Sequence, residues 1–290
     1  MKIASLNDGS RDGKLAIVAR DLATACDAST IAPNLQRAID DWDRVAPVLR
    51  DLYTSLNRGA VRTAFAFDEA KAMAPLPRAF QWLDGSVYSS HGELMKRAFD
   101  TENKIEFPKG EPMMYQGGSD EMLGPREDIV TVDEAWGIDF EAEVAVVTGD
   151  VKMQSTPEEA AASIRLVMLA NDVSLRNLIM HELGKGFGFY QSKPASAFSP
   201  VAVTPDELGE AWRDCMVNLP IRVTYNGAAF GKPSAGVGYV FNFAQIIAFA
   251  ARTRNRFAER RLTALMQSGA RLAGQNRRIA SRQVPLANAI

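Results

Sequence analysis

Short apolar runs punctuated by turn residues alternate along this chain with stretches of helical periodicity. Lys2–Leu6 and Lys14–Val18, separated by Asp8-Gly9 and Asp12-Gly13, predict an N-terminal hairpin. Over residues 33–57, Leu35, Ala38, Ile39, Trp42, Val45, Leu49, Leu52 and Leu56 recur at three- and four-residue steps, so a helix is expected, with Pro47 kinking or splitting it. Asp84 to His91 reads as a turn leading into a helical segment, Gly92–Phe99, and the Gly, Pro and Ser content of 106–127 reads as loop. A strand is expected over 138–148. Thr156-Pro157-Glu158-Glu159 has capping-box spacing with Pro at the first helical position, and predicts a helix through Ile164 that runs into apolar Leu166–Ala170. Thr204-Pro205-Asp206-Glu207 repeats that chemistry before Leu208–Trp212. Ile221–Tyr225 and Ala228–Phe230, joined at Asn226-Gly227, form a hairpin signal, and Phe241–Ala251 a further helix. Strands and helices mix without a regular βαβ rhythm, which favours α+β.

Composition narrows the function classes. At 290 residues, 47% hydrophobic and 23% charged, the chain can bury a large core. No segment approaches the roughly 18–20 apolar residues of a membrane span, and Met1–Gly9 lacks the apolar stretch of a secretory signal, so a cytoplasmic protein is expected. Cys26 and Cys215 are too few for a disulfide framework, and with His91 and His181 the only histidines a tetrahedral His/Cys zinc site is nearly excluded. The net charge of −2 hides an asymmetry: from Arg252 onward nine arginines face the single acid Glu259, leaving −10 for residues 1–251. That basic stretch has neither interleaved aromatics nor a nucleic-acid motif, so no nucleic-acid partner is expected.

The candidate chemistry begins with Glu141 and Glu143, two residues apart in an apolar strand and therefore on one face. Alone, such a pair reads as a solvated face. Asp172, at the end of an apolar run, reads alone as a helix N-cap. Together with Asp84, seven residues before His91, these acids suggest a hard divalent ion such as Mg²⁺, Ca²⁺ or Mn²⁺. His91 is then the leading general base, while His181, beside Glu182, reads as a surface residue. Lys193 follows Gly186-Phe187-Gly188, a poor match to a phosphate loop, and an ammonium there suits developing oxyanion charge.

Asp84–His91, Met114-Tyr115-Gln116-Gly117-Gly118-Ser119, Gly137–Val147, Asn171–Asn177 and Gln191–Pro200 together resemble the fumarylacetoacetate hydrolase family, most of all its bacterial fumarylacetoacetase-like members. The resemblance implies a catalytic domain built as a mixed β-roll, a small β-rich N-terminal module and a homodimer. It implies metal carboxylates at Asp84, Glu141, Glu143 and Asp172 and a general base at His91. It also implies catalytic Lys193 and Arg176 beside the developing negative charge, with Tyr115 and Arg176 contacting substrate. The implied reaction is metal-dependent hydrolysis of a carbon–carbon bond in a β-diketo acid, first of all fumarylacetoacetate to fumarate and acetoacetate, which closes tyrosine and phenylalanine breakdown. An acylpyruvate hydrolase, or a decarboxylase or isomerase of 2-oxo acids, is the alternative within the superfamily.

Two departures accompany the resemblance. Ile179 stands where the vertebrate-type enzymes carry a substrate-contacting glutamine. After Thr253 neither the family's Gly-Ser-Gly-Thr-like strand nor an alternating strand pattern is visible. The expected organisation is therefore an N-terminal module of hairpin plus helix over 1–74, an incomplete catalytic β-roll over 75–251, and an atypical or truncated Arg-rich tail over 252–290. Weak or absent activity, leaving a non-catalytic protein, is the rival from another class.

Overall fold

The computed structural model describes residues 1–93 and 110–256, together with the backbone of the strand Thr263–Ser268. The architecture is the expected α+β one, with a β-rich N-terminal module. A twelve-stranded mixed sheet runs through it. From one edge, the strands are Phe65–Ala66, Thr24–Asp27, Lys14–Val18, Lys2–Leu6, Ala202–Val203, Ile164–Asn171, Ala142–Thr148, Thr263–Ser268, Gln81–Ser86 and Met113–Gly117. Ser196–Phe198 adds to Ile164–Asn171, and Met122–Leu123 adds to Ser196–Phe198.

The central strands are apolar on both faces because both are covered, the condition under which a strand loses polar alternation. Leu166, Met168 and Ala170 look one way, with Ala145 and Val147, into a core shared with Ile3, Leu15, Ile17 and Trp82. Val167, Leu169, Val144 and Val146 look the other way, into a second core closed by Ile246 and Ile247. The first core joins the N-terminal strands to the rest of the sheet. The helix Trp42–Asn57 seals it with Val45, Leu49, Tyr53 and Leu56, one stripe at helical spacing.

Several expectations hold and several are corrected. Lys2–Leu6 pairs with Lys14–Val18 as predicted, and the second hairpin turns at Asn226 and Gly227, both at positive φ. The capping box at Thr156 is formed, over a helix of Pro157–Ala162. The N-terminal helix breaks at Asp41 and not at Pro47: Leu35–Asp40 ends there and Trp42–Asn57 runs through the proline. Pro47 and Asp43 are exposed, so the Asp43 carbonyl that loses its partner is open to water. Asp84 is no turn residue, since Gln81–Ser86 is a strand and the helix begins at Ser89. The segment beyond Glu93, and 106–109, lie outside the described residues. Within 110–127 the loop reading gives way to the strands Met113–Gly117 and Met122–Leu123; an edge strand tolerates glycine, and Gly117 lies against Trp82, where a Cβ would sit 2.1 Å from the indole. Pro205–Ala211 is a 3₁₀ segment, kinked at Gly209, with no cap bond from Thr204.

Past Thr253, where the sequence shows no alternating strand pattern, the structure has a strand. Thr263–Ser268 lies between Ala142–Thr148 and Gln81–Ser86, antiparallel to the former and parallel to the latter. Before it, Arg256 is buried: its guanidinium donates to the Ala250 carbonyl at the C-terminus of the helix Phe243–Ala250 and to Gln81. The rest of the tail lies outside the described residues.

Candidate metal centre

Strand parity carries the four carboxylates to one place. Asp84 shares a face with Trp82, Glu143 with Ala145 and Val147, and Asp172 continues the row Leu166, Met168, Ala170, so all three leave the sheet on the side of the first core. Glu141 lies just before the strand Ala142–Thr148, where its amide meets Asn171 Oδ1 at 3.2 Å and its carbonyl accepts the Asp172 amide at 3.0 Å. Asp84, Glu141, Glu143 and Asp172 are all buried, and each offers an oxygen within 4.8 Å of the others.

Two cations partly balance this charge. Lys193 Nζ stands 2.5 Å from Asp172 Oδ2, 3.3 Å from Glu141 Oε2 and 2.8 Å from Ser174 Oγ. Arg176 bonds Glu141 through one guanidinium nitrogen and Asp139 through Nε, at 2.8 Å. The arginine is held from behind: its amide donates to the carbonyl of Gly137, a left-handed residue whose Cβ would press on the Asn177 amide. Tyr115, directly across the ladder from Asp84, donates its hydroxyl to Asp172 Oδ2 at 2.8 Å, and Ser196 donates to Asp172 Oδ1 at 3.1 Å. His91 is half-buried at the start of its helix, near enough for its charge to act on Glu141. Ile179 is buried and His181 is exposed.

The electrostatics are uneven. Burial alone would raise the Glu141 pKa, but Lys193, Arg176 and His91 hold the carboxyl well below the usual range. Glu143 goes the other way, pushed far up by burial and then by Asp84, Asp172 and Glu141. Both Glu143 oxygens are buried and without a hydrogen-bond partner among the described residues, at 1% exposure. A buried carboxylate left like this is costly unless a cation meets it. With Asp139, which shares Arg176, five carboxylates stand against two cations, and an all-oxygen donor set suits Mg²⁺, Mn²⁺ or Ca²⁺. The residues fit such an ion.

Asp139, Ser174 and Ser196 were not singled out from the sequence. A period-two signal existed for two of them, since Asp139 shares parity with Glu141 and Ser174 with Asp172. Ser196 arrives from a separate strand, with no local cue.

Comparison with known proteins bears on the family and the fold. Residues 1–78 match the family model described as Fumarylacetoacetase N-terminal domain 2, and residues 81–257 match Fumarylacetoacetate (FAA) hydrolase C-terminal. A 2,4-didehydro-3-deoxy-L-rhamnonate hydrolase from Sphingomonas sp. (strain SKA58) is 28% identical over 151 residues, 51% of this chain and 50% of that protein. A mitochondrial oxaloacetate tautomerase of Xenopus laevis is 28% identical over 154 residues, 52% of this chain and 46% of that one. The matched stretches thus span about half the length of these two relatives. Among solved structures, maleylpyruvate hydrolase from Sphingobium sp. SYK-6, in complex with manganese(II) and pyruvate, superposes with a TM-score of 0.63 at 15% identity, covering 91% of this chain and 87% of that one. That likeness speaks for the fold. Among the described residues, no helix is long and apolar enough to cross a membrane.

Proposed function

This chain belongs to the fumarylacetoacetate hydrolase family, and from that premise we propose that it is a divalent-metal-dependent enzyme acting on a small 2-oxo acid, by hydrolysis of the carbon–carbon bond of an acylpyruvate. The observation that carries the reading is the buried Glu143 carboxylate, unpartnered among the described residues beside three other acids. The relatives' names support the substrate class: they describe a hydrolase of a sugar-derived acid, a tautomerase of oxaloacetate and a hydrolase of maleylpyruvate. Fumarylacetoacetate itself becomes the weaker candidate, because Ile179 is buried and apolar where recognition of that substrate is expected to use a glutamine.

Asp84, Glu141, Glu143 and Asp172 would hold the ion, which when bound supplies Lewis acidity to a keto oxygen. The chain's own residues do the rest. His91, at the rim, accepts a proton from the attacking water. Lys193 and Arg176, both kept fully charged by their carboxylate partners, face the negative charge that grows on the substrate oxygens. Tyr115 and Ser196 fix the orientation of the Asp172 carboxylate. A second reading, keto–enol tautomerisation of a 2-oxo diacid, is favoured by the similarity to the oxaloacetate tautomerase and needs only the proton transfer at His91.

Incubating the Mn²⁺-loaded protein with acetylpyruvate and, separately, with oxaloacetate discriminates the two. Release of pyruvate and acetate, lost in His91→Ala, supports the hydrolase. Accelerated tautomerisation of oxaloacetate without acetylpyruvate cleavage supports the second reading. Mn²⁺ binding with neither reaction refutes both.

A further inference from the structure

Glu182 is a buried acid that the proposed chemistry does not use. It sits in the last turn of the helix Arg176–Lys185 at 7% exposure. A negative charge there opposes the helix dipole, so the helix itself does not explain it. Its partners lie elsewhere. Oε1 accepts the Gln191 amide at 2.7 Å. Oε2 accepts the amides of Tyr190 and Ser192, each at 3.1 Å, and the Ser192 hydroxyl at 2.5 Å. Four donors thus converge on one carboxylate from three consecutive residues. The Ser192 carbonyl in turn accepts the Leu175 amide at 2.8 Å, fixing the same residue to the strand that follows Asp172.

The residue after this clamp is Lys193. Before it, the loop has little else to hold it: Gly186 and Gly188 are left-handed, Phe187 and Tyr190 are almost fully exposed, and Phe189 makes an edge contact with the Tyr115 ring. Of its apolar side chains the loop half-buries Phe189 alone, so its order comes mainly from hydrogen bonds to one anion. We infer that Glu182 is a positioning residue, whose carboxylate pins the main chain at 190–192 and so sets where the Lys193 ammonium stands against Asp172, Glu141 and Ser174. The inference rests on the proposed role of Lys193 as the cation facing substrate charge. A lysine whose Cα drifts by an ångström loses its alignment with the reacting oxygen, and such misplacement costs about a hundredfold in rate.

The test reads the placement of Lys193 directly. Native protein is treated with acetic anhydride and acylation of each lysine is measured by peptide mass spectrometry, with Lys2, buried in the N-terminal strand, as internal control. In wild type both lysines are protected. Glu182→Ala is expected to raise Lys193 acylation about tenfold or more while Lys2 stays protected, since several charge-assisted hydrogen bonds are lost at once. Glu182→Gln keeps one acceptor oxygen but turns amide hydrogens toward backbone N–H groups, so an intermediate value is expected. With acetylpyruvate, kcat should follow the same order, Ala below Gln below wild type, with KM and the Mn²⁺ Kd within about threefold of wild type. Lys193 as protected in folded Glu182→Ala as in wild type overturns the inference. So does acylation of Lys193 and Lys2 together in both variants, which marks general loosening. If wild type turns over no keto acid but Lys193 alone becomes reactive in the variants, the proposed function falls and the positioning role stands.

Discussion

The two ends of one sheet face are built from opposite chemistry. Toward the N-terminal strands, the face that carries Trp82, Ala145, Val147, Leu166 and Met168 holds apolar groups and belongs to one buried core with Leu49, Tyr53 and Leu56. A few residues along the same strands, the same parity delivers Asp84, Glu143 and Asp172, equally buried and crowded with charge. The Trp82 and Phe198 rings, packed edge to face at 5.1 Å, stand at the apolar end of this row. The contrast teaches that burial here serves two purposes. At one end it removes hydrocarbon from water, and at the other it removes water from carboxylates, which favours folding only when a cation compensates.

Replacing Glu143 by the isosteric Gln should break the contrast most sharply. It removes a carboxyl whose ionised form burial and three neighbouring acids disfavour, which has no hydrogen-bond partner among the described residues, and it keeps the volume, so the metal-free protein should melt a few degrees higher, the equivalent of about 1 kcal/mol. Mn²⁺ affinity should drop at least about a thousandfold, ~4 kcal/mol, because even the outer partners of ligands are worth 10- to 100-fold. Calorimetric titration and thermal melts measure both. A variant that loses stability without losing metal would mean that the four acids form no ion site.

The reverse substitution lies in the apolar end. Leu49 is fully buried in the stripe of the helix Trp42–Asn57. Leu49→Ala should cost about 3 kcal/mol, from lost transfer energy and a residual cavity. Its Mn²⁺ Kd should remain within twofold, since the two ends share a sheet and no side-chain partners. Chemical denaturation with a parallel Mn²⁺ titration checks this. A matching loss of metal affinity would show that the core tunes the site.

The sequence made the two ends legible to different degrees. Glu141 and Glu143 stood out because two acids at strand period among apolar neighbours are costly, and cost is visible locally. The apolar stripe at Leu49 was equally plain. Asp84 was harder: its partner Tyr115 lies some thirty residues away across an edge strand whose glycines read as loop, and Gly117 is there because the Trp82 indole leaves no room for a Cβ. Glu182 left no trace, because it acts on backbone amides, which every residue except proline possesses. Thr263–Ser268 was hidden because Ala264, Leu265 and Met266 run consecutively between polar residues and show no period of two. Pro47 misled in the other direction. The rule that proline breaks helices holds where the freed carbonyl is buried, and Asp43 is exposed.

Acid should separate the two ends in the smallest but most specific way. The apolar core's contribution is indifferent to protons, whereas the loop that carries Lys193 hangs on an ionised carboxylate. Burial would raise the Glu182 pKa, but the Ser192 hydroxyl and the amides of Gln191, Tyr190 and Ser192 outweigh it and hold the group at about 2, against 4.5 for the unfolded chain. Because the folded value is the lower one, the unfolded chain binds the proton first. The stabilisation is therefore complete above about pH 4.5 and is lost as pH falls through about 2. The shift sets an upper bound of about 3 kcal/mol on it. Glu182→Gln has no proton to gain, so its stability between those values should fall less steeply than that of wild type, while Leu49→Ala should run parallel to wild type at lower stability. Urea melts at stepped pH read this as a difference in slope. Equal slopes for wild type and Glu182→Gln would mean that the carboxylate is not ionised in the clamp and that the loop is held by something else.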